Sequence, residues 1–182
     1  MNYCTHCGGP LLLEVPAGDD RPRHCCRVCG MIHYRNPKMV VGCIPQWKNQ
    51  ILLCLRAIEP RAGLWTLPAG FLENNETVSE GARREVFEET RANVLDLKPY
   101  GLYNIPHISQ IYFFFRAQLE NNSFEPTHES RDVRLFKEEQ IPWGQLAFPV
   151  VEKTLKRYLQ DRRAESFSFH IDIITRRIHP PK

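Results

Sequence analysis

No stretch of this chain is apolar for anything near the length of a transmembrane helix, so a membrane span is excluded from the expectations. Neither charge sign dominates: a formal net charge of +3 over 182 residues is too small to argue for a nucleic-acid partner by itself. There is no internal repeat and no low-complexity segment. Met1 leads into Asn-Tyr-Cys-Thr without the pattern of a signal peptide, and no transit peptide precedes the folded region. A cytoplasmic protein with neither a membrane nor a nucleic-acid partner is expected. With 42% hydrophobic and 25% charged residues, the composition is that of a folded globular protein rather than a disordered one. The length suffices for one ordinary domain and a small module.

The seven cysteines are spaced for metal rather than for disulfides. Cys4-x2-Cys7 and Cys26-x2-Cys29 form two knuckles 18 residues apart, within the range of a four-cysteine zinc ribbon. Gly8 and Gly9 follow the first knuckle and Gly30 the second, where the backbone has to turn tightly around sulfur. Four thiolates close the coordination sphere, so this zinc is expected to be structural. Cys25 is spare, and His6, His24 and His33 are expected at the surface. Leu11–Arg23, with two prolines and a glycine, reads as the loop of the ribbon hairpin. The ribbon is predicted over residues 1–36 and the main domain over 37–182.

The richest stretch is Gly70-Phe-Leu-Glu-Asn-Asn-Glu76 through Arg84-Glu85-Val86-Phe87-Glu88-Glu89. Thr77 and Glu80 make a capping box that starts a helix near Val78. On that helix Glu85, Glu88 and Glu89 stand at i, i+3 and i+4 and share roughly a 100° arc. Like charges at these spacings cost a few tenths of a kcal/mol per pair. An isolated E-x-x-E-E is ordinarily a solvated acidic face, but hard oxygens clustered in this way also suit Mg²⁺ beside a phosphate-bearing substrate.

Around the helix, Val40–Ile44 and Ile51–Leu55 read as two strands joined by a turn, with Cys43 and Cys54 as small core hydrophobes. The segment Gly63–Gly70 forms an irregular entry loop with exposed carbonyls. Leu95–Tyr103 and Ile108–Leu119 are strand-like, the second too aromatic for a surface strand. A helix from Pro149 to Arg163 carries Val151, Leu155, Tyr158 and Leu159 on one stripe, and Phe167–Ile173 alternates as a strand. That last strand is free to pair across a dimer or to cover the ribbon.

Taken whole, Gly70-x5-Glu76-x7-Arg84-Glu85-Val86-x-Glu88-Glu89 resembles the Nudix box. One position departs: Arg91 stands where the box has its second glycine, so the residue must enter the left-handed region at about 1 kcal/mol or prolong the helix. The resemblance implies an α/β Nudix fold, an α/β/α sandwich with a mixed sheet, preceded by the zinc ribbon. It implies catalytic Mg²⁺ (or Mn²⁺) on Glu85, Glu88, Glu89 and the Ala69 carbonyl, with an Arg84–Glu76 ion pair orienting the helix. Glu129 and Asp132 correspond to acids late in such domains, and the general base is open between Glu88 and Glu129. Arg56 and Arg91 are candidates for phosphate contacts, and Trp65, Phe71, Tyr112 and Phe148 for stacking on a base.

The ribbon before the domain is similar to that of NADH pyrophosphatases, but their S-Q-P-W-P-F-P-x-S motif is replaced here by Ser109-Gln110-Ile111-Tyr112-Phe113-Phe114-Phe115. The nearer resemblance is to zinc-ribbon Nudix hydrolases of the FAD and ADP-ribose pyrophosphatase type, through Asn36–Cys43, Gly63–Gly70, Arg134–Phe136 and Ile141–Phe148. It implies a homodimer that releases AMP with FMN from FAD, or AMP with ribose 5-phosphate from ADP-ribose. The alternatives are a pyrophosphatase for NADH or another nucleoside-diphosphate derivative, and a non-catalytic module that senses nucleotides or binds nucleic acid. The intact carboxylate set favours an enzyme.

Overall fold

The structure, a computed structural model, describes residues 1–175. The chain divides into two compact units, Met1–Pro37 and a second from Lys38 onward. The expected domain end at 182 lies outside the described residues.

The first unit is a three-stranded antiparallel sheet of β1 (Leu11–Glu14), β2 (Arg23–Cys26) and β3 (Ile32–His33), in that order. The expected loop over 11–23 is therefore shorter. Leu11 pairs with Cys26 and Glu14 with Arg23, because a ladder is needed to return the second knuckle beside the first. Asp19 ties the remaining loop, accepting from the Asp20 N–H at 2.8 Å and from Arg23 Nε at 2.8 Å. The Arg23 bond holds the Asp19 carboxyl at about 2.

The second unit is built on a mixed sheet in the order β10-β5-β4-β9-β8-β11. Its strands are β4 (Lys38–Trp47), β5 (Gln50–Arg56), β6 (Trp65–Thr66), β7 (Ala69–Phe71), β8 (Val94–Ile105), β9 (Gln110–Leu119), β10 (Ser130–Phe136) and β11 (His170–Ile173). The short β6 pairs with β5 and β7 with β4. β4 runs parallel to β9 and β11 parallel to β8, and the other pairs are antiparallel.

Period-two alternation sends side chains to two cores. Leu52, Cys54, Phe115 and Ala117 pack with Ala82 and Val86 of α1 (Val78–Thr90). Ile51, Leu53 and Phe114 pack with Val151, Leu155, Tyr158 and Leu159 of α2 (Pro149–Arg163). The result is the expected α/β/α sandwich. The terminal strand differs from expectation, since β11 pairs with β8 of its own chain, with His170 opposite Gly101 and Ile173 opposite Asn104. The open edge of β8 supplied a ladder within reach, and the expected dimer loses that strand as support. No helix among the described residues is long and apolar enough to cross a membrane.

Candidate active site

Helix α1 begins as its sequence dictates. The Thr77 hydroxyl accepts from the Glu80 N–H at 3.2 Å, and the Glu80 carboxylate accepts from the Thr77 N–H at 2.7 Å. Nearly two turns in, Arg84 binds Glu76 through Nε at 3.0 Å and Nη2 at 2.8 Å. Its Nη1 donates to Glu85 at 2.7 Å and to Glu88 at 2.8 Å, and Nη2 also reaches the Phe71 carbonyl at 3.0 Å. The guanidinium thus clamps the loop before the helix to two of its carboxylates. At the other end Arg91 takes the left-handed conformation, φ 56°, and its N–H caps the Phe87 carbonyl at 2.8 Å. The helix stops at Thr90 rather than running on toward Asn93. The Arg91 guanidinium lies 5.2 Å from the Phe87 ring centroid.

The three carboxylates differ in setting. Glu85 is 7% exposed and Glu89 is 5% exposed, whereas the Glu88 side chain is 46% exposed. Burial raises the Glu85 carboxyl above the ordinary carboxylate range and pushes Glu89 up to about 8. Glu89 Oε2 accepts from the Ala69 N–H at 3.2 Å and lies 3.4 Å from Cys54 Sγ. Gly70 is required by close approach: a Cβ there would lie 2.3 Å from Glu85 Oε2. Glu85, Glu88 and Glu89 line one cavity and offer oxygen donors of the kind a hard divalent cation takes, although among the described residues their oxygens are not gathered as tightly as the cysteine sulfurs of the first unit.

A cavity of about 1070 Å³ opens over these groups. Glu85, Glu88, Glu89, Arg84, Ala69, Gly70, Glu129, Arg56, Phe71, Tyr112 and Phe148 all line it. Arg56 stacks 5.3 Å from the Phe148 ring centroid, and Lys38 Nζ stands 4.8 Å from that of Phe71. Glu76 stands behind the wall, on Arg84. Trp65, expected at the substrate, does not line the cavity. It is 7% exposed, packs edge-on to Phe136 with centroids 4.8 Å apart, and belongs to the core facing α2. The strand pairing of β6 with β5 turns it inward. Asp132 is likewise absent from the lining and pairs with Arg134 at 2.5 Å. Sequence reasoning missed His107, Ile108, Ile173 and Thr175, which close the far side. They come from the β8–β9 connection and from β11 onward, and no local pattern marks them.

In the first unit the sulfurs of Cys4, Cys7, Cys26 and Cys29 lie within 4.8 Å of one another. Cys4 and Cys29 are 3.8 Å apart, and Cys7 and Cys26 are 3.5 Å apart. A tetrahedron of Zn–S bonds near 2.3 Å has edges of about 3.8 Å, so the four sulfurs make a zinc site. Gly8 (φ +72°) and Gly30 (φ +73°) close the two knuckles with N–H bonds to the Cys4 and Cys26 carbonyls. Backbone N–H groups of Cys29 and Val28 lower the Cys26 thiol to about 6. His33 Nε2 stands 3.3 Å from Cys4 Sγ, a hydrogen-bond partner of the ligand rather than an isolated surface group.

Residues 36–158 match the family model of the NUDIX domain. The chain belongs to the Nudix family. Residues 2–35 match the model described as Nudix N-terminal, so this Nudix hydrolase carries its family's zinc ribbon. Among solved structures it is similar to a NUDIX hydrolase from Nitrosomonas europaea, 51% identical with TM-score 0.93, covering 97% of this chain and all of that one. Among curated relatives, the NAD-capped RNA hydrolase NudC of Vibrio parahaemolyticus is 28% identical over 88% of this chain and 62% of its own length. An ADP-ribose pyrophosphatase of Methanocaldococcus jannaschii is 30% identical over 70% of this chain and 76% of its own. The chain spans about three-fifths of the length of the NudC relatives it matches.

Proposed function

We propose that this Nudix protein hydrolyses the diphosphate bond of a nucleoside-diphosphate derivative of the NADH or ADP-ribose kind, releasing AMP, with Mg²⁺ or Mn²⁺ held by Glu85, Glu88, Glu89 and the Ala69 carbonyl. The observation that carries the reading is the convergence of the three carboxylates and Ala69 on one cavity. Bound there, a divalent cation supplies phosphoryl polarisation and a water of lowered pKa. The chain itself does the positioning. Arg84 orients Glu85 and Glu88 against Glu76. Glu88 and Glu129, both on the cavity, are the groups able to take the proton of the attacking water. Arg56 and Phe148 offer a cation and an aromatic face to the substrate.

The relatives reported are named for NAD-capped RNA and for ADP-ribose, which supports substrates of the NAD and ADP-ribose kind over FAD, which sequence resemblance put first together with ADP-ribose. Several relatives are named for a capped RNA, so RNA carrying a 5′ dinucleotide joins the substrates to be tried, although no nucleic-acid partner was expected. The reading includes a cytoplasmic setting, supported by seven cysteines of which four group as zinc ligands and none forms a disulfide, the usage a reducing compartment maintains.

The test is product analysis with Mg²⁺ and NADH, ADP-ribose, FAD or NAD-capped RNA in separate reactions, beside Glu88→Gln. AMP together with reduced nicotinamide mononucleotide or ribose 5-phosphate is expected, and the substitution should abolish both. Absence of AMP from NADH and ADP-ribose alike, or a Glu88→Gln variant as active as wild type, would sink the proposal.

A further inference from the structure

Cys54 reads from sequence as a core hydrophobe, and at 1% exposure on β5 it is buried like one. Its neighbour is not apolar. The sulfur stands 3.4 Å from Glu89 Oε2, the same oxygen that accepts the Ala69 N–H at 3.2 Å. The thiol has one proton and a second acceptor in reach, the Thr66 carbonyl at 3.6 Å. The carboxylate is nearer and, when ionised, carries charge, so it takes the proton. Among the described residues the Glu89 carboxylate forms no ion pair. Thr127 Oγ1 reaches the Glu89 backbone carbonyl, and the carboxylate's hydrogen-bond partners are the Cys54 thiol and the Ala69 N–H. Both engage Oε2, which leaves Oε1 free on a residue that lines the cavity.

The other two carboxylates are placed differently, Glu85 by Arg84 and the backbone of Gly70, and Glu88 by Arg84. Glu89 receives neutral donors alone, so its anchor brings no positive charge that would compete with a bound cation.

We propose that Cys54 is a positioning residue for this metal site: its thiol, with the Ala69 N–H, anchors Oε2 of Glu89 and so presents Oε1 to the cation. The inference rests on the metal-site reading above and deepens it. A purely space-filling cysteine would be replaced by valine at a cost in stability alone, because the larger valine overpacks a closed site without bearing on metal affinity. A donor cysteine would not. Serine keeps a donor on a shorter bond and should restore part of the effect.

The experiment titrates Mn²⁺ into the protein and follows the free-ion EPR signal, a measurement that needs no substrate, alongside thermal melting. For Cys54→Val the expected result is a melting temperature somewhat lowered by overpacking and Mn²⁺ affinity weakened about fivefold, the scale of one ordinary hydrogen bond, the thiol being a weak donor. Cys54→Ser should bind more tightly than Cys54→Val. With substrate, Cys54→Val should need more Mg²⁺ for half-maximal rate at unchanged KM. Wild-type Mn²⁺ affinity in Cys54→Val would overturn the inference and leave the metal-site reading intact. So would a loss of affinity that merely tracks loss of melting temperature in both variants. Wild-type protein that binds no Mn²⁺ would remove the metal-site reading and the inference with it.

Discussion

Replacing Gly70 by alanine separates the fold from the chemistry. Gly70 lies in β7, and its φ is outside the left-handed region, so the backbone accepts alanine without torsional strain. The penalty is contact. The new Cβ would sit 2.3 Å from Glu85 Oε2 and 2.5 Å from its Cδ and Oε1, whereas ordinary contact begins near 3.4 Å, so the carboxylate must retreat by about 1 Å. A flexible side-chain end can do this, at the expense of the 2.7 Å bond from Arg84. That bond is worth about 1–2 kcal/mol, which lowers the melting temperature by about 2–8 °C. A ligand or reacting group displaced by 1 Å costs about 10²-fold in rate. We therefore expect Gly70→Ala to fold and melt slightly early while kcat/KM drops about a hundredfold and the Mg²⁺ requirement rises. Calorimetric melting and steady-state hydrolysis at graded Mg²⁺ measure both. Turnover within threefold of wild type at unchanged Mg²⁺ dependence would refute the assignment of Glu85. A collapse of folding in parallel with activity would refute the claim that the side chain yields.

Three further outcomes are expected. Arg91→Gly relieves a non-glycine residue at φ 56° but gives up the stacking on Phe87, so the net gain should be about 0.5–1 kcal/mol with activity unchanged; chemical denaturation checks it, and a loss of stability would count against the strain argument. Elemental analysis should find one zinc per chain, and Cys26→Ser should lose it, since the four sulfurs form one cage. In metal-free protein the Glu89 carboxyl is raised from 4.5 to about 8, so folding favours its protonated form; that contribution is complete below about pH 4.5 and is lost as pH rises through about 8. Melting in EDTA should fall from pH 5 to pH 8 more steeply for wild type than for Glu89→Gln, and equal slopes would show that Glu89 does not titrate there.

Local chemistry was readable in advance, and long-range packing was not. Thr77 and Glu80 start a helix because their partners lie three residues away, and Glu76 meets Arg84 across one loop and two helical turns. The bounds of α2 follow from a proline at its first turn and a regular apolar stripe. The knuckle spacing gave the zinc cage because both cysteine pairs are local. Trp65 was placed at the substrate because an aromatic beside the box suits stacking equally well; only its pairing onto β5 turns it into the core. The same holds for β11, whose alternation predicts a strand but not the neighbour that receives it. Cys54 and Glu89 are 35 residues apart, and no periodicity connects a buried thiol to a carboxylate.

A guanidinium has five N–H donors in a rigid plane. In Arg84, Nε meets Glu76, Nη1 meets Glu85 and Glu88, and Nη2 meets Glu76 and the Phe71 carbonyl, so every one is engaged inside the protein. The arginine lines the cavity yet is saturated toward anything that enters it. Anion recognition falls to groups with donors to spare and to any cation the carboxylates come to hold, while Arg84 behaves as a fixed internal counter-ion. Lysine, with three donors on a single nitrogen, could not fill that valence, so Arg84 would be a poor site for a charge-conserving exchange.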